Sequence, residues 1–129
     1  MKKLFFISSL LIVFGLTTLS FAQEQVESNK WGVSTTNTGY TLDGNEGNRS
    51  MTIDVSFVYP FDEKPDIIIG VTMLDATTQT NVRYNVSPMS ISRDGFTIKI
   101  ATWSDSKIYG IGGYWIAHAK KHMNKDTDY

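Results

Sequence analysis

The 129-residue sequence contains no cysteine and only two histidines. The lack of cysteine excludes disulfide bonds and thiol chemistry, so a domain of this size must be held by its own core, with or without help from partner subunits. The histidines, His118 and His122, are four residues apart, a metal-ligand spacing in a helix, but they lie among lysines near the end of the chain. We interpret them as part of a solvated tail and predict no metal site.

Catalytic patterns are also missing. The sequence has no nucleophile with a neighbouring base and no glycine-rich phosphate loop, because Gly110, Gly112 and Gly113 lie within an expected strand. Asp75 and Asp105 are a conceivable carboxylate pair for a glycosidase, but nothing in the sequence favours that role. We therefore predict a binding or structural protein without a cofactor, and not an enzyme.

The first 22 residues have the pattern of a secretory signal peptide. Lys2 and Lys3 precede an apolar run, and small residues precede Gln23. A membrane anchor is the weaker alternative, because the run is short and broken by serine and threonine. We expect a secreted, periplasmic or cell-surface protein with no stable membrane insertion after cleavage.

Cleavage after residue 22 would leave 107 of the 129 residues, enough for one domain. It would also remove two of the 12 basic residues, leaving 10 against 13 acidic residues. A mildly acidic chain without a basic cluster is not expected to bind nucleic acid.

Period-two alternation of apolar and polar residues begins near Met51 and recurs in later segments. Met51, Ile53, Val55, Phe57 and Tyr59 are predicted to share one face of a strand. Further strands are expected in DIIIGVTMLD, NVRYNVSPMSIS, FTIKIATW and KIYGIGGYWIAHA. Strands about ten residues apart, with turn signals between them, predict an all-β sandwich. We expect a flexible segment over 23–30, the sandwich over 31–119 and a polar tail over 120–129.

The aromatic residues near the end of the chain suggest two different roles. Trp115 is surrounded by apolar residues and is predicted to lie in the core. Trp103 and Tyr109 bracket the polar turn SDSK and should emerge at the edge of a sheet. Such aromatics either cap a core or offer an apolar platform on which a sugar ring can stack.

The ordered motifs of this region resemble those of the H-type lectin domain. The motifs are Phe57, Phe61, Pro65, Leu74-Asp75, Asn81-Val82-Arg83, Gly95-Phe96, Thr102-Trp103, Ile108-Tyr109 and Trp115-Ile116. The resemblance implies a six-stranded antiparallel β-sandwich that assembles as a homotrimer. It also implies binding of glycans with terminal galactose or N-acetylgalactosamine, in shallow, metal-free sites at subunit interfaces.

The resemblance also assigns candidate carbohydrate-binding residues. The sugar-binding arginine of the family falls on Arg83, and its tryptophan and tyrosine fall on Trp103 and Tyr109. With Arg49 as the anchor, the acidic loop residue falls on Glu46 and a backbone contact on Gly44.

The sequence departs from the family pattern at two of these positions. Glu46 replaces a shorter aspartate, and Asp43 or Asn45 are alternatives for that position. Ser104 stands where the snail agglutinins of the family have a histidine. The alternative to a lectin is an assembly protein that keeps the trimeric sandwich without binding sugar.

Overall fold

The computed structural model describes residues 23–122. The expected signal peptide, residues 1–22, and most of the expected tail lie outside the described residues. Six antiparallel β-strands and no helix are present in residues 23–122. The strands are β1 (Glu24–Ser34), β2 (Arg49–Ser56), β3 (Asp66–Ala76), β4 (Tyr84–Met89), β5 (Gly95–Thr102) and β6 (Ile108–Lys120). The predicted six-stranded all-β fold is confirmed, and no helix in this part of the chain is long and apolar enough to cross a membrane.

The strands form two three-stranded sheets that pack face to face. Sheet I has the order β1-β6-β3 and sheet II the order β2-β5-β4. Each central strand, β5 or β6, pairs with strands distant in sequence, so the fold is held by non-local pairings. Because β5 and β6 belong to different sheets, the turn between them crosses from sheet II to sheet I.

The core lies between the sheets, where alternate residues of each strand point inward. In β5, Phe96, Ile98 and Ile100 are buried, as the alternation predicts. Trp115 is 3% exposed and packs edge-on against Phe96, with ring centroids 5.3 Å apart. The predicted core position of Trp115 is therefore confirmed, and the aromatic platform must be sought elsewhere.

Two glycines of β6 are required by close backbone packing. A Cβ atom added at Gly113 would overlap the carbonyl oxygen of Gly70 in β3. A Cβ atom at Gly112 would lie 2.7 Å from the carbonyl oxygen of Trp31 in β1. These glycines let β6 lie closely between its neighbours, next to a register shift in the β3–β6 pairing after Val71.

The structure differs from the sequence prediction at both ends of the early strands. Residues 24–30, expected to be flexible, form the first part of β1 and pair with β6. Backbone hydrogen bonds to β6 hold this polar segment, together with bonds from Gln25 Nε2 to the carbonyl oxygens of Tyr59 and Pro60. Tyr59, predicted to face the core, lies beyond the end of β2 and is exposed.

The outer faces of the two sheets differ in polarity. On sheet I, outward-facing Val26, Ile68, Tyr114 and Ile116 are 41–60% exposed, and Ile68 and Ile116 are register partners. Sheet II instead presents polar side chains along its outer face, including Ser50, Thr52, Asp54, Ser87, Thr97 and Lys99. An exposed apolar face opposite a polar one is typical of an interaction surface on sheet I.

Candidate functional site

The turn that crosses between the sheets, residues 103–107, is the centre of the candidate site. It follows Thr102 at the end of β5 and precedes Ile108 at the start of β6. Two loops converge on it: residues 35–48 between β1 and β2, and residues 77–83 between β3 and β4. Side chains far apart in sequence are thereby brought to one end of the sandwich.

Two buried hydroxyl groups fix the backbone of Arg83. The Oγ1 of Thr102 donates to the carbonyl oxygen of Arg83 at 2.6 Å, and the backbone N–H of Arg83 donates to the Oγ of Ser106 at 2.9 Å. Ser106 in turn donates to the carbonyl oxygen of Asn81. Thr102 and Ser106 are 1% and 0% exposed, so the bonds are shielded from water and hold the arginine rigidly.

These bonds correct the predicted environment of Arg83. The sequence indicates an alternating strand there, but β4 begins at Tyr84 and Arg83 is the last residue of the preceding loop. The carboxylate that contacts its guanidinium is Asp105, with Nη1 and Oδ1 3.0 Å apart. Glu46, which family motifs place near Arg83, does not pair with it. The side chains of Arg83 and Asp105 are 35% and 48% exposed, so the pair is open to a ligand.

Arg49 holds the other loop to the same turn. Its guanidinium donates to the carbonyl oxygens of Gly47 at 3.1 Å, Gly44 at 2.9 Å and Ser104 at 3.0 Å, with a longer contact of 3.5 Å to Leu42. The first two carbonyls belong to the loop and the third to the turn. Arg49 thus links Gly44 to Ser104, two of the predicted site residues.

Further contacts fix the short segment around Glu46. The N–H of Gly47 donates to the carbonyl oxygen of Ser104, and the Nζ of Lys107 donates to that of Asn45. Asn45, Gly47 and Ser104 all have positive φ angles, of 56°, 83° and 59°. A serine rarely adopts this conformation, so the backbone at Ser104 is held by its surroundings. Glu46 is exposed beside this turn, with its carboxylate available to accept hydrogen bonds.

Trp103 and Tyr109 are both 40% exposed, but they extend from different sheets. Trp103 follows β5 on the outer side of sheet II, and Tyr109 lies near the start of β6 in sheet I. The turn therefore brings Arg83, Ser104 and the Gly44–Glu46 loop to one end of the sandwich. It does not make a single platform of the two aromatic rings.

Tyr40 connects the first loop to β6. Its hydroxyl donates to the carbonyl oxygen of Ile108 at 2.6 Å. Burial, with smaller contributions from Asp43 and Asp75, raises the pKa of Tyr40 to about 12. The phenol therefore stays protonated at neutral pH and keeps its role as a donor beside the turn.

Comparison with known proteins identifies the family. The family model of the H-type lectin domain matches residues 52–118, just over half of the chain. The chain belongs to the H-type lectin family. The predicted resemblance is confirmed, and by family this H-type lectin is a carbohydrate-binding domain.

Relatives and solved structures agree with this assignment. The H-type lectin is 30% identical over 79 residues to a Discoidin-1 chain of Dictyostelium discoideum, covering 60% of this chain and 31% of that protein. It is 34% identical over 82 residues to "ATP synthase subunits region ORF 7" of Fuscovulum blasticum, covering 64% of this chain and 71% of that protein. The structure of discoidin II from Dictyostelium discoideum superposes with a TM-score of 0.69 at 21% identity, over 79% of this chain and 39% of discoidin II. The lectin thus spans about a third of the Discoidin-1 chain.

Several important residues of the lectin site escape sequence reasoning. In the sequence, Arg49 is only an alignment anchor, and Asp105 is only a conceivable glycosidase carboxylate. Thr102 and Ser106 suggest no function there, because a buried hydroxyl in a polar turn has no sequence signature. The available signal is Asp105, the acidic residue of a turn bracketed by two aromatics. Among residues 23–122, no group of three or more potential metal ligands is present.

Proposed function

We propose that this H-type lectin binds glycans with terminal galactose or N-acetylgalactosamine at the end of the sandwich around the 103–107 turn. The observation that carries the proposal is the placement of Arg83. Its backbone is fixed by two buried hydroxyls, while its guanidinium remains partly exposed beside Asp105. A rigid guanidinium next to a carboxylate offers paired donors and acceptors to neighbouring hydroxyl groups of a sugar.

The other site residues supply complementary chemistry. The carboxylate of Glu46 can accept a hydrogen bond from the axial hydroxyl of galactose, and the fixed backbone around Gly44 can supply a further contact. Asp43 and Asn45 remain alternatives to Glu46. Trp103 and Tyr109 offer apolar rings against the C–H face of the sugar. Ser104, in place of a larger side chain, leaves more room in the site.

We further propose that the lectin is a homotrimer whose protomers meet through the outer face of sheet I. The exposed side chains of Val26, Ile68, Tyr114 and Ile116 support this assembly, because the outer face of sheet II is polar. Trp103 and Tyr109 extend from different sheets, so a neighbouring protomer would supply the second aromatic ring at each site. Sites at the interfaces between protomers would follow from this arrangement.

Multivalency would compensate for weak single sites. A shallow site on an exposed turn binds a monosaccharide weakly, but three sites on one particle engage a glycan-covered surface with much higher avidity. Together with the expected signal peptide, this suggests a lectin that is secreted, periplasmic or held at the cell surface, with a role in adhesion.

A glycan array with the mature protein, residues 23–129, and its Arg83→Ala variant tests the sugar-binding proposal. The parent protein should bind glycans with terminal galactose or N-acetylgalactosamine, and Arg83→Ala should lose that binding. The control is Arg93→Ala, since Arg93 also makes one side-chain hydrogen bond, from Nε to the carbonyl oxygen of Phe61 at 2.7 Å. Arg93 lies at the opposite end of β5, so its variant should bind like the parent. Equal binding by both variants would place the site elsewhere.

Sedimentation equilibrium of the variant Ile116→Asp tests the assembly. A carboxylate at the centre of the apolar face should release monomers, because its charge would be buried without a partner at the interface. The matched control Thr52→Asp places the same charge on the outer face of sheet II and should remain trimeric. A monomeric parent protein at micromolar concentration would refute the trimer.

The second candidate function is assembly without sugar binding, and the apolar face of sheet I is the observation that favours it. In that case Arg83 and Asp105 would form only a structural or intersubunit ion pair. The Arg83→Ala change would then loosen the trimer, and the parent protein would bind no glycan.

A further inference from the structure

A cleft on the outer face of sheet II adjoins the proposed sugar site. Its volume is about 240 Å³. Lys99, Ala101 and Trp103 follow one another along the outer side of β5, and the small Ala101 leaves a depression between the two larger side chains. The lining residues are Asn48, Arg49, Ser50, Lys99, Ala101, Thr102 and Trp103.

The cleft contains two cationic side chains without a carboxylate partner. Lys99 is exposed, and its register partners on the flanking strands are Thr52 and Ser87, which carry hydroxyl groups and no charge. Arg49 donates only to neutral backbone carbonyls. In residues 23–122, the three ion pairs within 4.0 Å involve other side chains. The positive charge of the cleft is therefore balanced by solvent alone.

We propose that this cleft receives an anionic group of the bound glycan, a sulfate ester or a carboxylate. Trp103 belongs both to the cleft and to the proposed sugar site, so a sugar stacked on its ring could place a charged substituent towards Lys99. The ammonium of Lys99 and the guanidinium of Arg49 attract the anion, while the amide of Asn48 and the hydroxyl of Ser50 supply neutral donors. The inference rests on the proposed function, because it identifies the class of sugar at the same site.

The size of the cleft limits what it can hold. Pockets for drug-sized ligands are roughly 300–1,000 Å³, so a cleft of about 240 Å³ accommodates one sugar unit or its substituent but no oligosaccharide. The rest of the outer face of sheet II is lined by short polar side chains, so the charge preference is confined to this position. An extended anionic polymer would gain little from it.

Calorimetric titration of the mature protein with three sugars tests the inference. Galactose is the neutral reference, galactose 3-sulfate carries the sulfate, and galacturonic acid carries the carboxylate. One or both acidic sugars should bind about fivefold more tightly than galactose, the size expected for a partly exposed charge pair. The preference should shrink in about 1 M salt, where screening acts over about 3 Å. The sugar that keeps the preference identifies the source of the anion.

Two variants assign the preference to the cleft. Lys99→Gln should reduce it to less than about twofold while leaving galactose binding unchanged. Ala101→Leu keeps both cations but fills the depression, and it should reduce the preference in the same way. The control Lys64→Gln removes the same charge from an exposed loop at the other end of the sandwich and should change nothing.

The outcomes separate this inference from the proposed function. If galactose binds and neither acidic sugar is preferred, the cleft inference is overturned and the lectin proposal stands. A preference that survives in both Lys99→Gln and Ala101→Leu also overturns it, because the anion then binds elsewhere. If no sugar binds to the folded protein, both proposals fail together.

Discussion

Replacing Arg49 by lysine tests whether one side chain holds the site together. The guanidinium makes three hydrogen bonds of 2.9–3.1 Å, to Gly44, Gly47 and Ser104. Each contributes about 1 kcal/mol net, so the set stabilises the fold by about 3 kcal/mol. A lysine ammonium is a point donor and cannot span the loop and the turn as the planar fork does. Keeping one bond, Arg49→Lys should lower the free energy of unfolding by about 2 kcal/mol.

The expected loss is measurable by thermal unfolding. For a domain of about 100 residues, about 2 kcal/mol corresponds to a fall in Tm of about 8–16 °C, at a fixed protein concentration because oligomerisation also affects Tm. Glycan affinity should fall as well, since the Gly44–Glu46 loop loses its attachment to Ser104. The matched control is Arg93→Lys, which breaks a single bond to Phe61 and should lower Tm by less than half as much. An Arg49→Lys protein that melts and binds like the parent would refute the reasoning.

Three further predictions concern packing, pH and metal. Gly113→Ala should prevent folding, because its Cβ would overlap the Gly70 carbonyl, whereas Gly32→Ala should fold, because its nearest contact would be 3.7 Å; circular dichroism distinguishes them. The raised pKa of Tyr40 means that the folded state holds this proton more tightly than the unfolded state. Stability should therefore fall as pH rises from about 10 through about 12, and denaturant titrations should show a weaker fall in Tyr40→Phe. Glycan binding should be unchanged in EDTA; loss of binding that calcium restores would contradict the metal-free site.

Alternation along single strands made much of the sandwich predictable. In β2 and β5, Ile53 and Ile98 recur with apolar neighbours at every second position, and these residues point into the core as expected. The glycine-rich stretch of β6 was also readable, because glycines inside a strand indicate close backbone approach or a bulge. These signals are local, so one strand is enough to show them.

The first half of β1 could not be predicted, because the signal that makes it a strand lies in another part of the chain. Residues 24–30 are polar and show no apolar alternation, yet they pair with β6. Glu27 adds to this by accepting a hydrogen bond from the backbone N–H of Val58. Such contacts depend on topology, and strand propensity alone does not report them.

The site was predictable in its residue types but not in its arrangement. Family motifs identify Arg83, Trp103 and Tyr109, but period-two counting places Arg83 in a strand and gives it the wrong carboxylate partner. The decisive fact is that the 103–107 turn crosses between sheets, and it follows from the pairing of β5 and β6 with different neighbours. For the same reason, Arg49 and Asp105 acquire their roles only in the folded structure.

The most direct test of sugar binding is a calorimetric titration of the mature protein with N-acetylgalactosamine in EDTA. We expect saturable binding with one site per chain and a Kd of about 0.1–1 mM, as is typical of a weak, shallow site. The Arg83→Ala variant, still folded and trimeric, should produce no binding heat. A folded trimer that binds neither N-acetylgalactosamine nor galactose, or an Arg83→Ala variant that binds with the parent affinity, would contradict the central claim.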